Sequence, residues 1–289
     1  MMFIKKVFLS LGVFLIPGLL LAQSGKVSDN LSLPSKILNG ERKYGIYLPP
    51  DYATSEREYP VLYLLHGSGD DQTGWIQFGE VLNITDKAIN EGTATPMIIV
   101  MPDANTGTRG YFNNMKGDWL YEDFFFDEFM PFIEKKYRIK KDKRFRAISG
   151  LSMGGGGTFM YALHYPELFA AAAPLSASVG PVTLEEAKTN YKRTSPDATD
   201  EQIEAYYNRH SAVALVKSMP DANKSAVRWF IDCGDDDRLS PGNSFVHMAM
   251  KEKQIPHEFR IRDGGHTWSY WRASLPKVLE FVSASFHQY

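Results

Sequence analysis

Residues 145–159 read FRAISGLSMGGGGTF. A serine sits between glycines, and four more glycines then run into an apolar segment. Gly150-Leu151-Ser152-Met153-Gly154 fits G-x-S-x-G, the pattern of a nucleophilic serine on a strand-to-helix turn. Five residues of pattern arise often by chance, so the flanks and distant partners decide the reading. RFRAISG is a buried-strand run and TFMYALHYPELF has helical character, so a strand enters, a corner turns and a helix leaves. Glycines there permit a strained turn and a close strand–helix approach, leaving the Ser152 Oγ above the sheet. The backbone N–H of Met153, at the helix start, is a candidate oxyanion donor. A phosphate cradle would need a Walker-type lysine or a dinucleotide fingerprint with a later acid, and GLSMGGGGTF offers neither.

Outward from this corner the chain keeps one rhythm. YPVLYLLHG and TPMIIVMPDAN are short continuous apolar runs of the kind buried on both faces of a sheet. VLNITDKAINEG between them has helical spacing and a glycine stop. LYEDFFFDEFMPFIEKKYRI predicts a helix with acids early and Lys135-Lys136 late, as the helix dipole prefers. FAAAAPLSAS, AVRWFIDCG and HEFRIRDGG read as further strands, with a helix over NSFVHMAMKEKQ, and Asn39-Gly40 marks an early hairpin. Strands alternating with helices predict an α/β fold with a mostly parallel central sheet covered on both faces. Residues 179–225 break the rhythm and predict a small helical insertion over the catalytic edge of the sheet. No repeat, linker or low-complexity tract divides the chain, and 289 residues at 44% hydrophobic content supply a core for one large domain.

The N-terminus reads differently. Lys5-Lys6 precedes VFLSLGVFLIPGLLLA, which Pro17-Gly18 interrupts before the small residue Ala22. That is a secretory signal over 1–22, leaving a catalytic domain over 23–289. The run is too short and too broken for the roughly 20 apolar residues of a membrane span, so no stable membrane insertion is expected after cleavage. Loss of two lysines would move the formal charge from −2 to −4. No basic stripe offers a nucleic-acid or anionic-lipid surface. The one cysteine, Cys233, has no intramolecular disulfide partner and reads as a small buried residue.

A serine hydrolase needs a base and an acid, each just after a strand. RIRDGGHTWSYW puts His266 on a Gly-Gly loop after the last strand. His164, His247 and His287 fall in helical runs, His210 in the insertion, and His257 at the wrong end of its strand. His66, in LLHGSGDD, reads as a loop organiser. FIDCGDDDRLSPGN offers acids: Asp232 lies within the strand, and Asp235, Asp236 and Asp237 follow it. Adjacent carboxylates repel, so one of the three faces an imidazole while the others face water. A calcium loop would need a D-x-D-x-D-G run, which is absent. The chain order Ser, Asp, His matches that of α/β hydrolases.

Taken together, YLPPDY, VLYLLHGSGDD…GW, MPDAN, GLSMGG, CGDDD and GGHTWSYW resemble the esterase D-like branch of α/β hydrolases from about Ile37 to the C-terminus. That branch includes the feruloyl and acetylxylan esterases of carbohydrate esterase family 1, enterochelin esterases, S-formylglutathione hydrolases and mycolyltransferases. The resemblance implies Ser152 as nucleophile, His266 as base and Asp237 as acid, with Asp236 as runner-up. It also implies backbone N–H groups of Ser68 and Met153 as oxyanion donors, and chemistry without metal or organic cofactor.

Aromatic residues crowd the expected cleft loops. Trp75, Tyr111, Trp119 and Trp268 are read as substrate-binding, since aromatic faces stack on sugars and planar phenolic acyl groups; Tyr270 and Trp271 belong to the same cluster, and for each of the six core packing is the equal alternative. An export signal argues against a cytosolic S-formylglutathione hydrolase. Arg109 and Arg238 are the nearest candidates for the basic cluster a large anionic siderophore would need, and an enterochelin-type esterase stands as a further alternative. The expected activity is therefore hydrolysis of feruloyl esters on xylan oligosaccharides, in the periplasm or outside the cell, with acetylxylan deacetylation next. A binding protein on a degenerate hydrolase scaffold is the non-enzymatic alternative.

Overall fold

The computed structural model describes residues 24–104 and 110–287. Residues 1–22, expected as a secretory signal, and Arg109 lie outside the described residues.

Eight strands form one sheet: β1 (Lys26–Ser35), β2 (Gly40–Leu48), β3 (Val61–Leu65), β4 (Ile98–Pro102), β5 (Arg146–Leu151), β6 (Ala171–Leu175), β7 (Arg228–Gly234) and β8 (Glu258–Arg262). Their spatial order is β1-β2-β4-β3-β5-β6-β7-β8. The hairpin β1–β2 and the pair β2–β4 are antiparallel, and all pairs from β4 to β8 are parallel. This is the α/β-hydrolase arrangement. β3, β4, β5 and β6 are buried along their whole length, as uninterrupted apolar runs require when both faces are covered. Asn39 closes the hairpin at φ 50°, a conformation its short polar side chain tolerates.

Alternate residues of the strands feed two cores. One face joins Tyr63, Phe125, Phe129, Phe159 and Trp229 under the helices Met130–Lys136 and Met153–His164. The other joins Leu62, Leu64, Trp75, Trp271 and Phe281 under the helices Val81–Asn90 and Trp268–His287. Cys233 is buried in β7. At the sheet's edge, β8 exposes Arg260, Ile261 and Arg262, and charges there discourage edge-to-edge pairing. Among the described residues no helix is long and apolar enough to cross a membrane.

The segment LYEDFFFDEFMPFIEKKYRI, expected to be helical, departs from α geometry. Phe124–Phe129 forms a π turn, with Met130 N–H reaching back to the Phe125 carbonyl. Pro131 follows immediately; it has no N–H for the i−4 carbonyl and its ring crowds that carbonyl, so the widened turn accommodates it.

Residues 179–225 contain the helices Leu184–Thr194, Asp200–His210 and Ala212–Ser218. Thr199 caps the second with a reciprocal bond to Gln202. Ala187, Ala198 and Ile203 form a small core of their own, with Leu184, Tyr191 and Tyr207 packed around it. Tyr206 ties this cap to the body by donating to the carbonyl of Asn113, and Tyr207 donates to that of Val182 within the cap. A deeper tie runs through His164, whose Nδ1 meets the buried Glu122 carboxylate at 2.6 Å and whose Nε2 meets the Arg209 carbonyl at 2.8 Å.

Candidate active site

The site is built on the C-terminal ends of β3, β5, β7 and β8. β5 ends at Leu151, and Ser152 turns the chain with φ 54° and ψ −112°, outside the relaxed regions for an L-residue. Three backbone bonds hold the turn: Ser152 N–H to Leu175 O at 2.9 Å, Ser178 N–H to Ser152 O at 2.9 Å, and Gly156 N–H to Ser152 O at 3.0 Å. The glycines after it are dictated by contact. A Cβ on Gly154 would stand 2.6 Å from the carbonyl oxygens of Leu65 and His66, and one on Gly155 would stand 2.6 Å from that of Leu175. The helix Met153–His164 therefore lies directly on the ends of β3 and β6. Its axis starts at the nucleophile, with the Met153 N–H among the donors that have no intrahelical acceptor.

His266 arrives from the loop after β8. Its Nε2 lies 2.9 Å from Ser152 Oγ and its Nδ1 lies 2.8 Å from Asp237 Oδ2. The second Asp237 oxygen accepts the Leu239 N–H at 2.8 Å, and the carboxyl group is wholly buried. Asp236 and Asp235 point elsewhere. Both are exposed, and Asp235 accepts from the N–H groups of Asp236 and Gly264, cross-linking the acid loop to the histidine loop. Asp236 N–H in turn donates to Gly264 O at 3.1 Å. Gly264, at φ 135°, supplies a conformation that other residues adopt only under strain.

The imidazole is steadied from behind. Trp271 stands edge-on to it at 4.9 Å between ring centroids. Asp232, buried in β7, receives the Tyr270 hydroxyl at 2.5 Å and Arg262 Nη2 at 2.8 Å, fastening the last helix to β7 and β8.

His66 takes no place in this hydrogen-bonded line. Ala104 N–H donates to its Nε2 at 2.9 Å, so Nδ1 carries the proton and donates to the Gly67 carbonyl at 2.8 Å. Burial lowers its pKa to about 4, against weaker raising effects from the Gly67 bond and Asp71. The neutral ring thus pins the loop that carries Ser68. A Cβ on Gly67 would come 3.6 Å from Ser152 Cβ, which sets that loop against the nucleophile.

The aromatic residues divide in a way that corrects the sequence expectation. Trp75 is fully buried and donates its indole N–H to Leu65 O, at the end of β3, at 3.0 Å. Trp119 is 5% exposed, donates to Gly110 O at 2.9 Å and packs on Tyr121. Neither ring presents a face to a ligand. Tyr111 is buried too, but its ring backs the wall of a cavity while its hydroxyl bridges the backbone of His66. Trp268 is half-buried against Trp75, Phe78 and Trp271, away from that cavity.

The cavity, of about 680 Å³, opens beside the hydrogen-bonded line. Its wall includes Met153, Arg238 and Leu239, chain neighbours of Ser152 and Asp237, and it extends to Tyr191, Tyr206 and His210 of the cap. These cap residues were absent from the sequence-based site. The aromatic density of AYYNRH was the available signal. Arg238 faces the cavity together with Glu186, so its wall carries charges of both signs.

A match to the Esterase family model spans residues 35–282. The chain belongs to this esterase family. A ferulic acid esterase of known structure is 37% identical, superposes with a TM-score of 0.79, and aligns over 91% of this chain and 99% of its own. An endo-1,4-beta-xylanase/feruloyl esterase of Xylanibacter ruminicola is 30% identical over 246 residues, 81% of this chain and 28% of that protein. Esterase Rv1288 of Mycobacterium tuberculosis is 31% identical over 250 residues, 77% of this chain and 52% of that protein. The esterase thus spans about half the length or less of these two relatives. Family and neighbours agree with the carbohydrate esterase family 1 type, and place the chain among carboxylic-ester hydrolases.

Proposed function

We propose that the esterase is an exported serine hydrolase that releases hydroxycinnamoyl groups, feruloyl above all, from plant polysaccharides. The observation that carries the chemistry is the continuous line Ser152 Oγ–His266–Asp237 at 2.9 and 2.8 Å. The acyl preference is supported by the aromatic-walled cavity beside Met153 and by similarity to proteins named as feruloyl esterases.

In this reading Ser152 Oγ attacks the ester carbonyl while its proton passes to His266 Nε2. Asp237 keeps the proton of Nδ1 directed at itself and stabilises the imidazolium. The carbonyl oxygen, now negative, accepts from the N–H groups of Ser68 and Met153. Collapse breaks the C–O bond to the sugar, and the leaving alkoxide takes the proton from Nε2. Water then repeats the sequence on the acyl-enzyme: His266 accepts its proton, the acid departs, and Ser152 recovers its own. No step asks for a cofactor.

The test compares kcat/KM for methyl ferulate, an acetylated xylooligosaccharide and p-nitrophenyl acetate, with Ser152→Ala as control. Fast ferulate release that vanishes in the variant supports the whole reading. Turnover of acetyl esters alone, still dependent on Ser152, keeps the mechanism and moves the substrate to acetylxylan. Activity that survives without Ser152 overturns the mechanism. Export over residues 1–22 is tested by sequencing the mature N-terminus, with Gln23 as the expected first residue.

A further inference from the structure

Glu122 is wholly buried and takes no part in the hydrogen-bonded line of the active site. One of its carboxylate oxygens meets His164 Nδ1 at 2.6 Å; the other, buried too, has no hydrogen-bond partner. His164 is the last residue of the helix Met153–His164, the helix that begins at the nucleophile, and its side chain is 10% exposed. Its Nε2 lies 2.8 Å from the backbone carbonyl of Arg209, the penultimate residue of the cap helix Asp200–His210. The last carbonyls of a helix have no intrahelical donor and carry the negative end of its dipole.

Both nitrogens of His164 therefore face acceptors. A carbonyl has no proton to give, so Nε2 is the donor there. Burial raises the Glu122 pKa, but the His164 bond and charge, with Arg209 and His210, outweigh burial and hold it below its ordinary value. The ionised carboxylate also only accepts, so Nδ1 donates and the ring carries both protons. An imidazolium thus sits between a carboxylate of the body and the C-terminus of a cap helix. A ring with one proton would satisfy one of these acceptors and set a lone pair against the other. The other charged or titratable groups around the pair are Asp123 beside Glu122, Tyr161 and Tyr165 beside His164, and Tyr206, Arg209 and His210 on the cap helix.

The cap helix held in this way supplies part of the cavity wall through Tyr206. The Tyr206 hydroxyl donates to the carbonyl of Asn113, and the Asn113 side chain accepts the Glu122 N–H at 3.0 Å. The contacts close a ring, from Glu122 to His164, on to the cap helix, and back through Tyr206 and Asn113.

We infer that His164 and Glu122 are positioning residues for the substrate cavity: the imidazolium latches the cap helix to the body and so sets the Tyr206 wall, and the latch opens as pH rises and the ring loses a proton. This rests on the reading above that the cavity receives the acyl group.

The experiment follows kcat and KM across pH for methyl 3,4-dimethoxycinnamate, which has no phenol to ionise, in wild-type protein and in His164→Gln. Glutamine presents an amide donor on one side and an acceptor on the other, as the singly protonated ring does, but at every pH. Wild-type KM should rise toward alkaline pH by about tenfold, since loss of a charge-assisted bond moves the balance of closed and open cap by about that factor. In His164→Gln, KM should stay at the raised value throughout, with kcat within about twofold of wild type, the pattern of lost binding and not lost chemistry. A KM unchanged by the substitution, or a loss confined to kcat, overturns the inference while leaving hydrolysis by Ser152 intact. Turnover of p-nitrophenyl acetate with the cinnamate ester refused means that the feruloyl reading has failed. The latch is then decided by ¹⁵N NMR of the histidine side chains, which should show both His164 nitrogens protonated at pH 7 in the wild type and one in Glu122→Gln; a singly protonated wild-type ring overturns the inference. Should His164→Gln not fold, the KM–pH curve of the near-isosteric Glu122→Gln takes its place. Its rise should come at lower pH than in the wild type, and coincident curves overturn the inference.

Discussion

Trp271 donates its indole N–H to the hydroxyl of Ser176 at 3.0 Å while its ring stands edge-on to His266. Ser176 is itself held at φ 44°, and its N–H donates to the Asp232 carbonyl at 2.8 Å. One side chain therefore ties the base to two strands of the sheet. Trp271→Phe keeps an aromatic edge but loses the anchor. We expect kcat to fall about tenfold, the scale on which small misplacements of a catalytic group are felt, with KM within about twofold. Steady-state kinetics on methyl ferulate decides; a change confined to KM would assign Trp271 to substrate contact instead.

The three successive aspartates after β7 differ in role because they differ in direction. Asp237→Asn should lower kcat by about 10⁴, since an amide holds the imidazole in the wrong tautomer. Asp236→Asn, on the exposed side, should stay within about twofold. Equal losses in the two variants would return the acid to an open question.

Ser152 stores backbone strain, and two substitutions separate strain from chemistry. Both Ser152→Ala and Ser152→Gly should abolish turnover. Only glycine relaxes at φ 54° and ψ −112°, so Ser152→Gly should be more stable than Ser152→Ala by about 1 kcal/mol. Urea melts of the two inactive proteins give the difference directly, and identical midpoints would mean that the turn is unstrained.

His66 makes stability depend on pH. Its folded pKa, about 4, lies below the ordinary value of 6.5. The unfolded chain thus takes up a proton first as pH falls. The stabilisation is full above pH 6.5 and drains away between there and pH 4, by at most about 3 kcal/mol at 1.36 kcal/mol per unit. His210, also lowered to about 4, adds a parallel loss. Urea melts at pH 7.0, 5.5 and 4.5 should show the decline, with a shallower slope in His66→Gln. Wild-type and variant slopes that coincide would mean that His66 is not held neutral.

The sheet and the nucleophile corner were legible because each rests on local, one-dimensional information. Uninterrupted runs such as VLYLL and IIVMP leave no alternative to burial on both faces, and the glycines after Ser152 are answered by strand ends too close for a Cβ. The choice between Asp236 and Asp237 was not legible from the residues themselves. It depends on the Asp235 cross-link to Gly264, a contact between two loops far apart in sequence. The tryptophans misled for a related reason. Trp75 sits in a loop by sequence, but the short helix Gly74–Gln77 turns its ring into the core, and composition does not record which side of a loop a ring takes. The cap's part of the cavity wall, Tyr191 and Tyr206, was hidden by the insertion, whose helices fold around a small core of their own.

Cys233 has a practical consequence. Burial, with Asp237 nearby, pushes its thiol up to about 12, so at neutral pH it holds almost no thiolate and is covered as well. The covalent structure is accordingly indifferent to whether the surroundings oxidise or reduce. It also means that the native chain is already a clean background for dye attachment. A cysteine placed at exposed Glu185 or Glu201 would take a maleimide alone, and a fluorophore there would report cap motion against the sheet without any prior removal of the natural thiol.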